Sequence, residues 1–208
     1  MTKVKICGIT NIEDARLAVN FGADALGFNF YEKSPRYISA QDAKAIAETL
    51  QGEVLKVGVF VNMEESKIGE CVDLIGLDAV QLHGDEDADF VTHLRAETDA
   101  QVIKAFRVDL NFQAASIADF RVDAVLLDAY AEDEYGGTGK TFDWKTAEAA
   151  KALTPQLYLA GGLTYENVSE AIKTVRPFAV DVASGVESSP GKKDPRLMEA
   201  FIRNAKNA

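Results

Sequence analysis

The sequence predicts an α/β protein, a single-domain (β/α)8 TIM barrel over residues 1–208. Three observations predict it. Short β-rich apolar runs alternate with helical patterns along the whole length, which is how consecutive βα units around a parallel sheet read in sequence. Eight such runs can be named, a natural number for a closed barrel. The glycine clusters fall late, at Gly161-Gly162 and Gly185, after the seventh and eighth runs, where barrels often hold phosphate. An open doubly wound sheet usually carries its glycine-rich loop after the first strand. A chain of 208 residues is long enough for one sizeable core and favours one domain over two.

The predicted strands are Val4 to Ile9, Ala25 to Phe30, Leu55 to Val61, Ala79 to His83, Val102 to Phe106, Ala124 to Asp128, Leu157 to Ala160 and Ala179 to Ala183. Between them, Ala43, Ile46, Ala47 and Leu50, then Ile68, Cys71, Val72 and Ile75, then Val168, Ala171, Ile172 and Val175 follow the i, i+3, i+4, i+7 spacing of helices with one buried face. Thr10 with Glu13, Ser39 with Asp42, and Thr164 before Glu166 place side-chain oxygens where helix starts need acceptors. No linker, low-complexity segment or obvious repeat interrupts the pattern.

Hydrophobic residues make up 47% and charged residues 26%, an ordinary globular balance. A net charge of -11 without long like-charge blocks argues against a nucleic-acid partner, which calls for a basic patch or stripe. The start Lys3-Val4-Lys5-Ile6 shows no secretory h-region, and no apolar run reaches the roughly 20 residues of a membrane span, so a cytoplasmic protein without a membrane partner is expected. Cys7 and Cys71 lie far apart with no CxxC spacing, which suggests neither a disulfide framework nor a metal site.

A barrel builds its active site from the C-terminal ends of its strands and the loops that follow. There strand one carries Cys7-Gly8, strand two leads to Ser34-Pro35-Arg36-Tyr37, strand four carries Gln81 and His83, and strand six ends on Asp128. Taken singly, each has a plain reading: a lone cysteine is more often a small buried hydrophobe, an aspartate a helix cap or ion-pair partner, and a loop arginine merely solvated. Together they bring a thiol, a guanidinium, an imidazole and a carboxyl group to one rim. Gly161, Gly162, Ser184 and Gly185 are suited to backbone contact with a phosphate. Gly136, Gly137 and Gly139 suggest either a flap over the substrate or a long turn. Gln81 and His83 share a strand face, and Asp181 between Val180 and Val182 also points into the barrel, so these three, with Gly139, are pocket candidates. Cys71 belongs to an apolar helix stripe, and His93 to a solvated helix.

Seven segments in order, KICGITNIEDA, GFNFYEKSPRYIS, VGVFVN, VQLHGDE, LLDAYAEDEYGGTGKTFDW, LAGGLTYENV and DVASGVESSPGKKD, resemble the phosphoribosylanthranilate isomerase family of tryptophan biosynthesis from end to end. The resemblance implies an Amadori rearrangement of N-(5-phosphoribosyl)anthranilate to the 1-amino-1-deoxyribulose phosphate, with no cofactor and no metal. It implies Cys7 as general base, Asp128 as general acid, Arg36 as ligand of the anthranilate carboxylate, and Gly161, Gly162, Ser184 and Gly185 as the phosphate site. Ala183 departs from the family pattern, where many relatives carry a serine, and puts one hydroxyl contact in doubt.

The reaction needs one acid to open the furanose ring and one base to remove the C2 proton. A free thiol titrates near pH ~8.5, so Cys7 calls for positive potential nearby. Burial of Asp128 would favour its protonated form. The small phosphorylated substrate is the one partner expected of a monomer or homodimer. The residues alone support a phosphate-binding barrel with an acid–base rim. A histidine-pathway aminoaldose isomerase and a non-catalytic phosphometabolite-binding barrel stay open beside the leading reading.

Overall fold

The computed structural model describes residues 1–50, 54–109, 111–129, 144–154 and 156–208. Eight parallel strands close into one barrel in chain order: β1 Lys3–Cys7, β2 Ala25–Asn29, β3 Leu55–Phe60, β4 Ala79–Leu82, β5 Gln101–Val108, β6 Ala124–Ala129, β7 Leu157–Leu159 and β8 Ala179–Val182. The expected barrel is thus present, and each strand lies within two residues of its expected limits. The outer ring contains α1 Ile12–Phe21, α2 Ala40–Ala47, α3 Glu65–Ile75, α4 Ala88–Glu97, α5 Trp144–Lys151, α6 Val168–Val175 and α7 Pro195–Lys206. Among the described residues, the connection from β5 to β6 carries a six-residue 3-10 turn, Ala114–Asp119, in place of an α-helix. A short hairpin, β9 Glu187–Ser189 with β10 Lys192–Lys193, leads into α7.

Parallel strands covered on both faces bury both sets of alternating side chains, which is why the runs read as nearly continuous apolar segments. Val4, Ile6, Leu26, Phe28, Val80 and Leu82 point outward and form a large core with the helices. The inner face is built mainly of small residues: Ala25, Ala79, Ala105, Ala124, Ala160 and Ala179 surround Val57, Ile103, Leu126 and Tyr158. Small side chains suit the narrow interior of an eight-stranded barrel, which is filled in layers and leaves no pore.

Two of the predicted helix starts shift. Asn11, one residue after Thr10, caps α1 by accepting from the Asp14 amide at 2.8 Å, while the Thr10 hydroxyl donates to the Gly191 carbonyl at 2.6 Å. Thr164 accepts from the Glu166 amide in the turn before α6, which begins four residues later at Val168. Ser39 caps α2 as expected.

The structure reveals a repeat that the sequence conceals. An Asp-Ala pair opens β2, β4 and β6, and each carboxylate accepts the backbone amide of the preceding strand: Val4 to Asp24, Lys56 to Asp78 and Val102 to Asp123, all at 2.8 Å. At β8 Phe178 takes the aspartate's place and packs against Tyr158, with ring centroids 5.7 Å apart. Each aspartate thereby pins the N-terminal end of one strand pair, far from the rim.

Asp24 also holds Lys3 at 3.0 Å and pairs with Lys206 on α7. Burial pushes its carboxyl up, but Lys206, the Val4 amide and Lys3 outweigh burial and hold it below the usual carboxylate range. A folded-state pKa below the unfolded one contributes stability that is complete above about pH 4–5 and is lost as pH falls through the folded value. Asp24→Asn keeps an oxygen for the amide and loses both ion pairs, which solvent partly screens, so urea unfolding should show a loss of about 0.5–1 kcal/mol at neutral pH. The gap between variant and wild type should close in acid; a gap independent of pH would show that the charge contributes nothing.

Candidate active site

All the candidates within the described residues meet at the C-terminal end of the barrel. Cys7 from β1, Arg36 from the loop after β2, Gln81 and His83 from β4 and its end, Asp128 from β6, Gly161 and Gly162 after β7, Asp181 from β8, and Ser184 and Gly185 beyond it line one cleft. The cleft holds about 590 Å³ of empty space, part of it open solvent. Gly136, Gly137 and Gly139 lie outside the described residues. Cys71 sits on α3, half-buried against the outer core, and His93 is exposed beside Glu65 at 3.9 Å.

Glycines shape this rim by what they leave empty. Gly8 has φ +75°, and a β-carbon there would come within 2.7 Å of Arg36 Cδ, so its absence lets the arginine cross the end of β1. A β-carbon on Gly27 would lie 2.7 Å from Cys7 Sγ and 3.2 Å from Lys5 Nζ. A β-carbon on Gly185 would strike the Leu163 carbonyl oxygen at 2.0 Å, so the loops after β7 and β8 touch backbone to backbone. That contact brings the two glycine loops together as one wall of the cleft.

Arg36 is held before any ligand arrives. Its Nε donates to Glu187 Oε1 at 2.9 Å and its Nη2 to Glu187 Oε2 at 2.8 Å. A guanidinium has five donors, so this side-on pairing leaves the end-on N–H groups for a second carboxylate. Burial pushes Glu187 up, but Arg36 and Lys193 prevail and hold its carboxyl below its usual range.

Two buried lysines, neither among the expected site residues, flank Cys7. Lys5 is fully buried and donates to Asp181 Oδ1 and to Gln81 Oε1, each at 2.9 Å. Burial works against its charge, yet Asp181 and Cys7 hold its pKa above the ordinary lysine value. Lys193 on β10 donates to the Cys7 carbonyl at 2.6 Å, the Ala183 carbonyl at 3.2 Å and Glu187 at 2.9 Å. Burial lowers its pKa, with Glu187 opposing. Alternation offered a signal for Lys5, which shares its strand face with Cys7. Lys193 and Glu187 sit in a hairpin with no periodic pattern to mark them.

The expected positive potential at Cys7 is present but is outweighed. Burial pushes the thiol above its ordinary value, Lys5 pulls it down, Asp181 pushes it up again, and Lys193 pulls it down. On the other side of the mouth, Asp128 Oδ1 accepts from the Ala129 amide at 2.9 Å and Oδ2 lies 3.4 Å from His83 Nε2. The site therefore sets a thiol that burial pushes up and a carboxyl group in a cleft that a guanidinium and two glycine loops also line.

The family model described as N-(5'-phosphoribosyl)anthranilate (PRA) isomerase matches residues 4–204. The chain belongs to this isomerase family. It is 51% identical over 206 residues to the N-(5'-phosphoribosyl)anthranilate isomerase of Citrifermentans bemidjiense, covering 99% of this chain and 98% of that one. The crystal structure of the Thermotoga maritima phosphoribosyl anthranilate isomerase superposes with a TM-score of 0.90 at 46% identity over the full length of both chains. A phosphoribosyl anthranilate isomerase in complex with reduced 1-(o-carboxyphenylamino)-1-deoxyribulose 5-phosphate superposes at 0.86 with 43% identity, again over both full chains. Monomers generated from the dimeric Thermotoga maritima enzyme also match, at 0.87.

The state of the thiol can be read directly. In a Cys71→Ser protein, the rate of iodoacetamide alkylation at Cys7 should still be rising above pH ~8.5, the ordinary thiol value. A plateau below pH ~8 would mean that the lysines win over burial.

Proposed function

We propose that this chain rearranges N-(5'-phosphoribosyl)anthranilate in the cytoplasm, as one domain in a monomer or homodimer, with Cys7 as general base and Asp128 as general acid. One observation carries the assignment: Cys7, Asp128, Arg36 and the two glycine loops line a single cleft. A substrate with a carboxylate at one end and a phosphate at the other meets a guanidinium and a backbone anion site at matching ends. The ligand in the related complex has both groups, as its carboxyphenylamino and 5-phosphate parts state.

Catalysis then divides between the two sides of the mouth. The Asp128 carboxyl gives its proton to the ring oxygen, which breaks the C1–O bond and leaves a protonated Schiff base between C1 and the anthranilate nitrogen. The Cys7 thiolate takes the proton from C2, and the electron pair moves into the C1–C2 bond and neutralises the nitrogen. The resulting enolamine tautomerises to the ketone. Burial pushes the Cys7 thiol above its ordinary value, so the thiol first gives its proton to solvent, and the cationic Schiff base supplies the positive potential that favours the thiolate until it takes the C2 proton. Arg36, steadied by Glu187, takes the anthranilate carboxylate through its free N–H groups. The amides of Gly161, Gly162, Ser184 and Gly185 surround the phosphate, and Ala183 contributes no hydroxyl.

Cys7→Ala and Asp128→Asn should each lower kcat by about 10²–10⁴-fold while circular dichroism stays unchanged. Near-wild-type turnover in either variant removes that residue from its role. Arg36→Ala should raise KM for the anthranilate substrate by about 10–100-fold, the worth of hydrogen bonds to a charged group. A histidine-pathway aminoaldose, which lacks the anthranilate carboxylate, should not show that dependence on Arg36. Substantial wild-type turnover of it would favour the second reading.

A further inference from the structure

Along the cleft a chain of buried polar side chains runs from β1 and β8 through β4 to β6. Lys5 Nζ is held by Asp181 Oδ1 on one side and by Gln81 Oε1 on the other, each at 2.9 Å. Gln81 Nε2 lies 2.8 Å from His83 Nδ1. His83 Nε2 then faces Asp128 Oδ2 at 3.4 Å. All five side chains are buried.

Lys5 decides the direction of every bond along this chain. An ammonium group has donors only, so the Gln81 atom facing it has to be the carbonyl oxygen. The Gln81 amide group consequently faces His83 and donates to Nδ1. A ring nitrogen that accepts cannot carry a hydrogen, so the imidazole proton resides on Nε2, the atom turned towards Asp128. Among the described residues, His83 Nε2 is also buried with no hydrogen-bond partner. A buried donor left unpaired at a site carries a desolvation cost, and the nearest acceptor is too poorly aligned to offset it before substrate binds.

We infer that Lys5 and Gln81 lock His83 as an Nε2–H donor aimed at the Asp128 carboxyl, and that Gln81 is a positioning residue for the acid step. The inference rests on the proposed role of Asp128. Once Asp128 has given its proton to the ring oxygen, its oxygen carries a full charge, and the Nε2–H hydrogen bond strengthens where charge develops. A cationic His83 would instead hold Asp128 ionised beforehand and leave it no proton to give. With its amide N–H aimed at Nδ1 from 2.8 Å, Gln81 offers that ring nitrogen a donor and no acceptor. The other charged groups around His83 are already paired: Lys104 on β5 with Glu86 at 2.7 Å, Arg107 on β5 with Asp85 at 2.5 Å, and Lys5 with Asp181. Cys7 stands on the far side of Lys5, on the same strand face.

Nitrogen-15 NMR of the two histidine rings, with His93→Gln for assignment, reads the tautomer without any change in the chain. The expected result is an unprotonated Nδ1 and a protonated Nε2 on His83 through the pH range of activity. An Nδ1–H tautomer, or an imidazolium at neutral pH, overturns the inference. Gln81→Glu offers Nδ1 an acceptor and should convert His83 to imidazolium. It should move the alkaline limb of the kcat profile to lower pH and cut kcat about tenfold or more at neutral pH, with KM changed less than about threefold. Gln81→Met, which keeps the side chain's length and removes both bonds, should lower kcat without moving that limb towards acid. An unmoved limb in Gln81→Glu with a folded protein also overturns the inference. Should Asp128→Asn retain turnover, the acid assignment fails by itself, and the NMR result still reports whether the lysine sets the tautomer.

Discussion

A closed barrel depends on one join that no local sequence pattern can secure, the pairing of its first strand with its last. Here β1 meets β8 in the register Lys3 to Ala179 through Ile6 to Val182. Buried cations hold that seam at two levels. Lys5 reaches Asp181 inside the barrel, and Lys193 bridges the carbonyls of Cys7 and Ala183 at the rim. At the opposite end the Lys3 amide donates to the Phe178 carbonyl at 2.9 Å, and α7 returns its Lys206 to Asp24. The seam is also where Cys7 stands, so closure of the fold and placement of the thiol are the same event.

Ionic groups inside a barrel are a poor way to gain stability. Removing a lysine and an aspartate from water costs several kcal/mol per ion, and their attraction seldom does more than offset it, so well-packed apolar residues of similar size would often serve the fold as well. The pattern makes sense as a device for direction. A buried ammonium with two acceptors fixes which way Gln81 and then His83 face, and Lys193 with Glu187 does the same for Arg36. Arg36, Gln81 and Asp181 are each held by a charged partner, Glu187 for the first and Lys5 for the other two. The bottom of the barrel contains the simpler solution, three aspartates that pin three strand pairs through one amide each.

Much of the architecture was legible because it depends on local chemistry. Period-two alternation and runs of branched apolar residues locate the strands, and the 3.6-residue stripes locate the helices facing them. Once eight parallel strands are accepted, their C-terminal ends must share a rim, so Cys7, Arg36, His83, Asp128 and the late glycines could be grouped before any coordinates. The same alternation already placed Lys5 on the face of Cys7, although two lysines in a short strand read more naturally as solvated. The partners could not be read. Lys5 is 76 residues from Gln81 and 176 from Asp181, and nothing in the intervening chain records the distance.

The order of the βα units, the count of strands and the residue types delivered to the rim were therefore set by the sequence alone, because periodicity and glycine placement act over a few neighbouring residues. Tertiary structure decided who pairs with whom. Arg36 arrives already engaged by Glu187, Asp181 serves Lys5, Asn11 replaces Thr10 as the cap of α1, and burial prevails over two nearby ammonium groups at Cys7. Those outcomes depend on strand register, on barrel closure and on how much water is excluded, and each of these exists only once distant segments have met.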